Sequence, residues 1–183
     1  MKNRNISKLI ILDRDGVINK YSADQIRSTE DFIPIDGSLE AIATLCQLGY
    51  EVAVATNQSG ISEGLFDEAT LEAMHEKLQN LLHPLNGKIT YFAYCPHLPN
   101  ANCGCRKPKP GLLHEISDNL NKPLINVPVV GDTLQDLQAA LAVNAKPILV
   151  KTGKGESTIQ QGLGMENIAV FENLRDVVNN FIN

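Results

Sequence analysis

Lys8-Leu9-Ile10-Ile11-Leu12-Asp13-Arg14-Asp15-Gly16 is the stretch on which the fold is decided. The run Leu9 to Leu12 lacks the apolar–polar alternation of a half-exposed strand and suits one covered on both faces. It breaks off on Asp13 and Asp15, and an extended chain points residues two apart to the same side. Short runs of the same kind recur at 50–55, 89–94, 127–130 and 147–150, with a weaker one at 168–171. Amphipathic helical patterns separate them at 38–48, 67–82, 111–120 and 133–143, and a last one spans 174–182. Strands alternating with helices predict an α/β fold with a doubly wound, mainly parallel sheet.

The 183 residues suit a single domain over 1–183, with enough apolar content, 43%, for a sizeable core. A net charge of −5 argues against a binder of nucleic acid or of an anionic membrane. Aromatic residues are 5% with no Trp, which leaves little for stacking on single-stranded bases. The apolar run after the basic N-terminal residues is too short for a secretory leader, and no stretch nears the ~18–20 apolar residues of a membrane span. The expectation is a cytoplasmic protein. With no coiled-coil pattern or long apolar stripe, it is expected to be a monomer.

In parallel sheets ligands bind beyond the carboxyl ends of the strands. The first strand leads into Asp13-Arg14-Asp15-Gly16 and the second into Thr56-Asn57-Gln58-Ser59-Gly60. The third leads through a Cys/His segment to Arg106-Lys107-Pro108, and the fourth into Gly131-Asp132-Thr133 with Asp136 beyond. Two neighbouring carboxylates call for a cation or a proton, and Asp132 adds a third acid for a hard ion such as Mg²⁺. Thr56 and Lys107 offer a hydroxyl and a point charge to a phosphoryl group. Either acid of the first pair alone could merely cap the next segment; the ordered set is hard to explain that way. Asp136 stays open between a metal ligand, an outer group and a helix cap.

Cys95, His97, Cys103 and Cys105 place three thiols and an imidazole within 11 residues, a donor set for tetrahedral zinc. All four positions are filled by protein, so such an ion, held in the loop 95–105, is expected to be structural and to set Arg106 and Lys107 facing the site. Cys46 lies on the apolar face of a helix pattern and reads as core. His75, His83 and His114 lack a partner pattern and read as surface or hydrogen-bonded side chains. Thr152-Gly153-Lys154-Gly155 lacks the spacing of a phosphate-cradling or dinucleotide loop and reads as a flexible loop at the site's rim.

DRDG, TNQSG, RKP and GDTLQD together resemble the four ordered motifs of the haloacid-dehalogenase (HAD) phosphatase superfamily, over roughly residues 8–150. The resemblance implies a HAD-like Rossmannoid fold with a minimal cap. It makes Asp13 the nucleophile that forms an aspartyl-phosphate, and Asp15 the general acid and then base. It places Mg²⁺ between the Asp13 carboxylate, the Asp15 backbone carbonyl and Asp132, and gives Thr56 and Lys107 the phosphoryl oxygens. Within the superfamily, a Cys-x-His…Cys-x-Cys loop before Arg-Lys-Pro is similar to that of two relatives. One acts on a sugar bisphosphate and the other on histidinol phosphate; the whole chain looks more like the sugar enzyme. That implies a small sugar phosphate as partner, contacted by Tyr21, Ser22 and Asp24, by Thr56, Asn57, Gln58 and Ser59, and by Arg106 and Lys107. Many of those sugar phosphatases have Lys where this chain has Thr133, which leaves position 133 without an assigned role. The competing classes are a phospho-accepting receiver domain and a zinc-organised module with no activity.

Overall fold

The computed structural model describes residues 8–162 and 167–182, so the basic stretch weighed as a leader lies outside the described residues. β1 (Leu9–Leu12), β2 (Glu51–Asn57), β3 (Tyr91–Cys95), β4 (Pro128–Gly131), β5 (Lys146–Val150) and β6 (Ala169–Phe171) form one parallel sheet in the order β3-β2-β1-β4-β5-β6. The helices are α1 (Ser38–Gln47), α2 (Glu68–Leu82), α3 (Gly111–Leu120), α4 (Leu134–Ala142), α5 (Gly155–Gln161) and α6 (Leu174–Val177), the last continuing as a π-helical turn at Val178–Ile182.

The unbroken apolar run of β1 is explained by its two faces. Ile10 and Leu12 join Val52 and Val54 beneath α1, α2 and α6, in a core with Leu45, Leu71, Leu78 and Val177. Leu9 and Ile11 join Ala53 and Ala55 beneath α3 and α4, against Leu112, Ile116 and Ala140. Fully burying such a side chain contributes about 1.5–3 kcal/mol, so a polar residue anywhere in 9–12 would be costly. The alanines of β2 on the second face are small because α3 crosses directly over that strand.

Local signals set the helix starts. Asp67 caps α2 by accepting from Thr70 N at 2.8 Å. Thr133 and Asp136 form a capping box at α4. The strand order reverses between β1 and β4, and the crevice at that switch holds the ends of both. Among the described residues, no helix is long and apolar enough to cross a membrane.

The segment after β5 departs from expectation. In place of a flexible loop, 151–154 is a tight turn that leads directly into α5. Gly155 stands so close to β5 that an added Cβ would lie 1.8 Å from the Val150 carbonyl oxygen. Glycine here serves close approach of helix to strand. Gly155→Ala is therefore expected to lower stability by about 1–3 kcal/mol through overpacking, read as a reduced urea midpoint with an unchanged m-value; an unaltered midpoint would show that α5 is free to move.

Candidate active site

Asp13 ends β1 with its N–H donating to Val130 O of β4 at 2.9 Å, which seats it at the switch point. Its Oδ1 accepts from Arg14 N at 2.8 Å and lies 3.0 Å from Lys107 Nζ. Burial pushes the Asp13 carboxyl up to about 7 against the pull of Lys107, with the charges of Asp136 and Asp15 adding to the rise.

Lys107 is almost fully buried. Its ammonium also meets Asp136 Oδ1 at 2.6 Å and donates to Ala55 O of β2 at 2.6 Å. Burial works against that charge, but Asp13 and Asp136 outweigh it and raise its pKa. The Lys107 backbone is gripped as well: its N–H donates to Asn57 Oδ1, and Asn57 Nδ2 donates to its carbonyl, both at 3.1 Å. The Asn57 amide, expected to contact substrate, thus places Lys107 while still bordering the cavity.

Asp132 follows β4 and is 1% exposed. Its Oδ2 accepts from Lys154 N at 2.7 Å, while the buried Oδ1 has no hydrogen-bond partner. Burial, then the charges of Asp13 and Asp136, push its carboxyl up to about 8. Carboxylate oxygens of Asp13, Asp132 and Asp136 lie within 4.8 Å of one another. Asp136 uses both of its own: Oδ2 accepts from Thr133 N and Oγ1, and Oδ1 pairs with Lys107. It is helix cap and lysine partner at once. Thr133 is correspondingly a cap whose hydroxyl belongs to Asp136. An orphaned carboxylate oxygen, a second acid raised by burial and one ammonium among three acids fit a hard divalent cation between Asp13 and Asp132.

The Asp15 carboxylate turns away from that cluster. Its Oδ1 accepts from Arg14 Nε at 3.0 Å, Arg14 Nη2 at 2.9 Å and Asn19 Nδ2 at 2.8 Å. Gln58 Nε2 reaches its Oδ2 at 3.0 Å and also donates to Thr56 Oγ1 at 2.7 Å. Neither Arg14 nor Asn19 was singled out from the sequence.

A cavity of about 290 Å³ joins these groups, lined among others by Asp13, Asp15, Thr56, Lys107, Asp132 and Asp136. Tyr21, Ser22, Gln58, Ser59 and Arg106 also border it, as expected. Asp24 does not: it is exposed, and Ala23, Gln25 and Ile26 take its place in the lining. Lys154 is an addition, its ammonium 4.7 Å from the centre of the Tyr21 ring. The signal for it was its position after β5, at the same edge as the other motifs.

Beyond the cavity, Cys95 ends β3, and its Sγ lies 3.5 Å from His97 Nδ1, 3.7 Å from Cys103 Sγ and 3.1 Å from Cys105 Sγ. His97 Nδ1 is 3.2 Å from Cys105 Sγ. A tetrahedral zinc ion with Zn–S of ~2.3 Å sets thiolates ~3.8 Å apart, so this donor set suits the ion after a slight expansion. Arg106 Nη1 donates to His97 O at 3.1 Å, tying the loop to the cavity wall. His75 differs from expectation: it is buried, stacked on Phe92 at 4.1 Å, and its Nε2 has no partner. Burial, then the Arg14 charge, push it down to about 3, so it stays neutral.

Comparison with known proteins gives two family models: polynucleotide kinase 3 phosphatase over residues 8–137, and HAD-hydrolase-like over residues 104–177. The chain is 50% identical to a D-glycero-beta-D-manno-heptose-1,7-bisphosphate 7-phosphatase of Pseudomonas putida, over 96% of this chain and 99% of that one. A protein of the same name from Escherichia coli K12 is 39% identical over 79% of this chain and 80% of its own. The crystal structure of D,D-heptose 1,7-bisphosphate phosphatase from Bordetella bronchiseptica, complexed with magnesium and phosphate, superposes with a TM-score of 0.92 at 45% identity. That match covers 95% of this chain and 97% of the other.

The raised carboxyls make a prediction for the metal-free protein. Between about pH 4 and 8 the folded state holds protons on Asp13 and Asp132 that the unfolded chain has lost, so stability falls as pH rises through that window. Thermal unfolding in chelator is expected to show a midpoint lower at pH 8 than at pH 5, with Mg²⁺ restoring most of the difference. Asp132→Asn is expected to abolish the Mg²⁺ response; a response that survived would place the ion elsewhere.

Proposed function

Because the chain belongs to the HAD-like hydrolases and, within them, to the D-glycero-beta-D-manno-heptose-1,7-bisphosphate 7-phosphatases, we propose that it hydrolyses the 7-phosphate of that heptose bisphosphate and releases heptose 1-phosphate. The observation that carries this reading is the convergence of Asp13, Thr56, Lys107 and Asp132 on one cavity. Its volume of about 290 Å³ suits a small ester and not a nucleic-acid duplex.

In the reaction, Asp13 attacks phosphorus with the oxygen that Lys107 leaves free, and the bond from phosphorus to the sugar oxygen breaks. Asp15 gives its proton to that oxygen. Asp15 then takes a proton from water as the water attacks phosphorus and frees Asp13, so that inorganic phosphate leaves and the enzyme is restored. Lys107 and the Thr56 hydroxyl hold the phosphoryl oxygens as charge builds on them. Asp13 and Asp132 would hold a Mg²⁺ ion, which would supply neutralisation of the charge that builds on the phosphoryl group. Lys107 favours the ionised Asp13 that attack needs, opposing the burial that favours its protonation.

A bisphosphate has a second anionic end, and the cavity wall offers Arg106 and Lys154 beyond the reacting centre. Arg106 is steadied by His97 O and Lys154 by the Tyr21 ring. Cys95, His97, Cys103 and Cys105 would hold a zinc ion, which would keep the polar loop 96–105 folded and, through it, Arg106 and Lys107 in place. The chain is further read as a cytoplasmic monomer that acts on a small molecule.

Phosphate release in Mg²⁺ from the heptose bisphosphate and from histidinol phosphate tests the substrate reading. kcat/KM is expected to favour the sugar, and the reverse order would make the chain a histidinol phosphatase. Asp13→Asn is expected to remove activity on both while leaving the fold intact. Lys154→Met is expected to raise KM at least about 10-fold for the bisphosphate, the equivalent of one lost charge-assisted hydrogen bond. It should change KM for a sugar monophosphate less than about 2-fold on the same scale; equal effects on both would deny Lys154 the remote phosphate.

A further inference from the structure

The best-buried cation near the cavity does not line it, and its guanidinium bonds neither Asp13 nor Asp132. Arg14 is 0% exposed and is not part of the cavity lining. A buried guanidinium is costly unless its donors are met, and here they are met largely by one neighbour. Arg14 Nε and Nη2 hold Asp15 Oδ1, and Nη2 also reaches Oδ2 at 3.0 Å. Arg14 also meets Gln58 Oε1 at 3.3 Å, Met74 Sδ at 3.7 Å and the Phe32 ring at 5.8 Å.

Adjacent residues rarely meet side chain to side chain in an extended strand, where they point to opposite faces. The turn after β1 makes the meeting possible. Arg14 O accepts from the N–H groups of Val17, Ile18 and Asn19, which curls the chain back and brings Asn19 Nδ2 onto Asp15 Oδ1. Oδ1 therefore receives three donors, from two residues that lie behind the cavity. Oδ2 faces Gln58, which borders the cavity together with Asp15.

We propose that Arg14 is a positioning residue for the proton transfers of Asp15. It fixes the plane of the carboxylate, mainly through Oδ1 with Nη2 also reaching Oδ2, so that Oδ2, on the Gln58 side at the cavity, is the oxygen that gives and takes the proton at the ester. The proposal rests on the phosphatase reading above. A guanidinium fork sets both position and plane of a carboxylate, which a point charge does not. A proton donor displaced by ~1 Å forfeits about 100-fold in rate.

The test uses two leaving groups. A sugar alkoxide needs the proton of Asp15 to depart, while p-nitrophenolate departs without one. kcat/KM covers only the steps up to formation of the aspartyl-phosphate, so the later hydrolysis does not enter the comparison. Arg14→Met keeps length and suits a wall of Met74 and Phe32. It is expected to lower kcat/KM for the sugar phosphate about 100- to 1000-fold, within the range of a general acid, and that for p-nitrophenyl phosphate less than about 5-fold. Arg14→Lys is expected to fall between, since it restores charge without the fork. The ratio of the two values does not depend on the fraction folded, so a destabilised variant still reports. Equal losses on both substrates, or no loss on the sugar phosphate, would overturn the proposal. If the parent protein hydrolyses p-nitrophenyl phosphate but not the heptose bisphosphate, the substrate reading is what fails. The comparison then runs on an alkyl phosphate that the parent does hydrolyse.

Discussion

One buried ammonium ties the carboxyl ends of the sheet together. Lys107 Nζ stands between Asp13 after β1 and Asp136 in α4, and donates to Ala55 in β2. Four pieces of chain with no covalent proximity are thereby held at one point. Removing one partner from such a group leaves an uncompensated buried charge, which typically costs about 3–5 kcal/mol. The same ammonium cannot balance the site alone, since Asp132 adds a third buried carboxylate with a bare oxygen. The excess of acid over base at this point therefore calls for protons or for a cation, and the resemblance points to the cation.

The placement of Lys107 depends in turn on the loop before it. Cys105 is two residues away, and Cys95 closes β3 while its carbonyl accepts from Gln58 N. The Cys/His cluster is thus anchored at one end on the sheet and at the other beside the lysine. Asn57 completes the hold by hydrogen-bonding both sides of the Lys107 peptide. Position is set by β2, charge by the acids, and approach by the loop. A phosphoryl group entering the cavity meets an ammonium that has little freedom left to lose.

The strands and the acids gathered at their carboxyl ends were legible in the sequence because each rests on a local rule. An unbroken apolar run such as Leu9–Leu12 has few alternatives to a doubly covered strand, and an acid just beyond it falls at the sheet's ligand-binding edge. Arg14 was not legible. Its burial depends on a turn closing on its own carbonyl and on Gln58 and Met74, 44 and 60 positions away. His75 escaped for a related reason: one face of it stacks on Phe92 of a distant strand, and nothing in the pattern of α2 announces a ring without a partner. Asp136 was left open between roles because the local cap and the distant Lys107 use different oxygens of one carboxylate. Periodicity and motif spacing report which edge a residue reaches, and long-range pairing decides what its atoms do there.

The turn after β5 shows the same division most clearly. Glycines 153 and 155 read as looseness, yet each marks a close contact. Gly16 and Gly153 both adopt positive φ, and an added Cβ on either would lie 2.2 Å from Asp132 Oδ2. The two glycines are what let two backbone segments close on that carboxylate, with Lys154 N donating to it and Thr152 Oγ1 to Gly16 O. A bulkier pair would push the segments apart and admit water to Asp132. Its second oxygen has no hydrogen-bond partner, and such a buried carboxylate oxygen is what a cation can claim without first displacing a hydrogen bond. Conformational freedom in the unfolded chain has here been traded for a buried carboxylate held in place at the cavity, so glycine at these positions belongs to the making of the site.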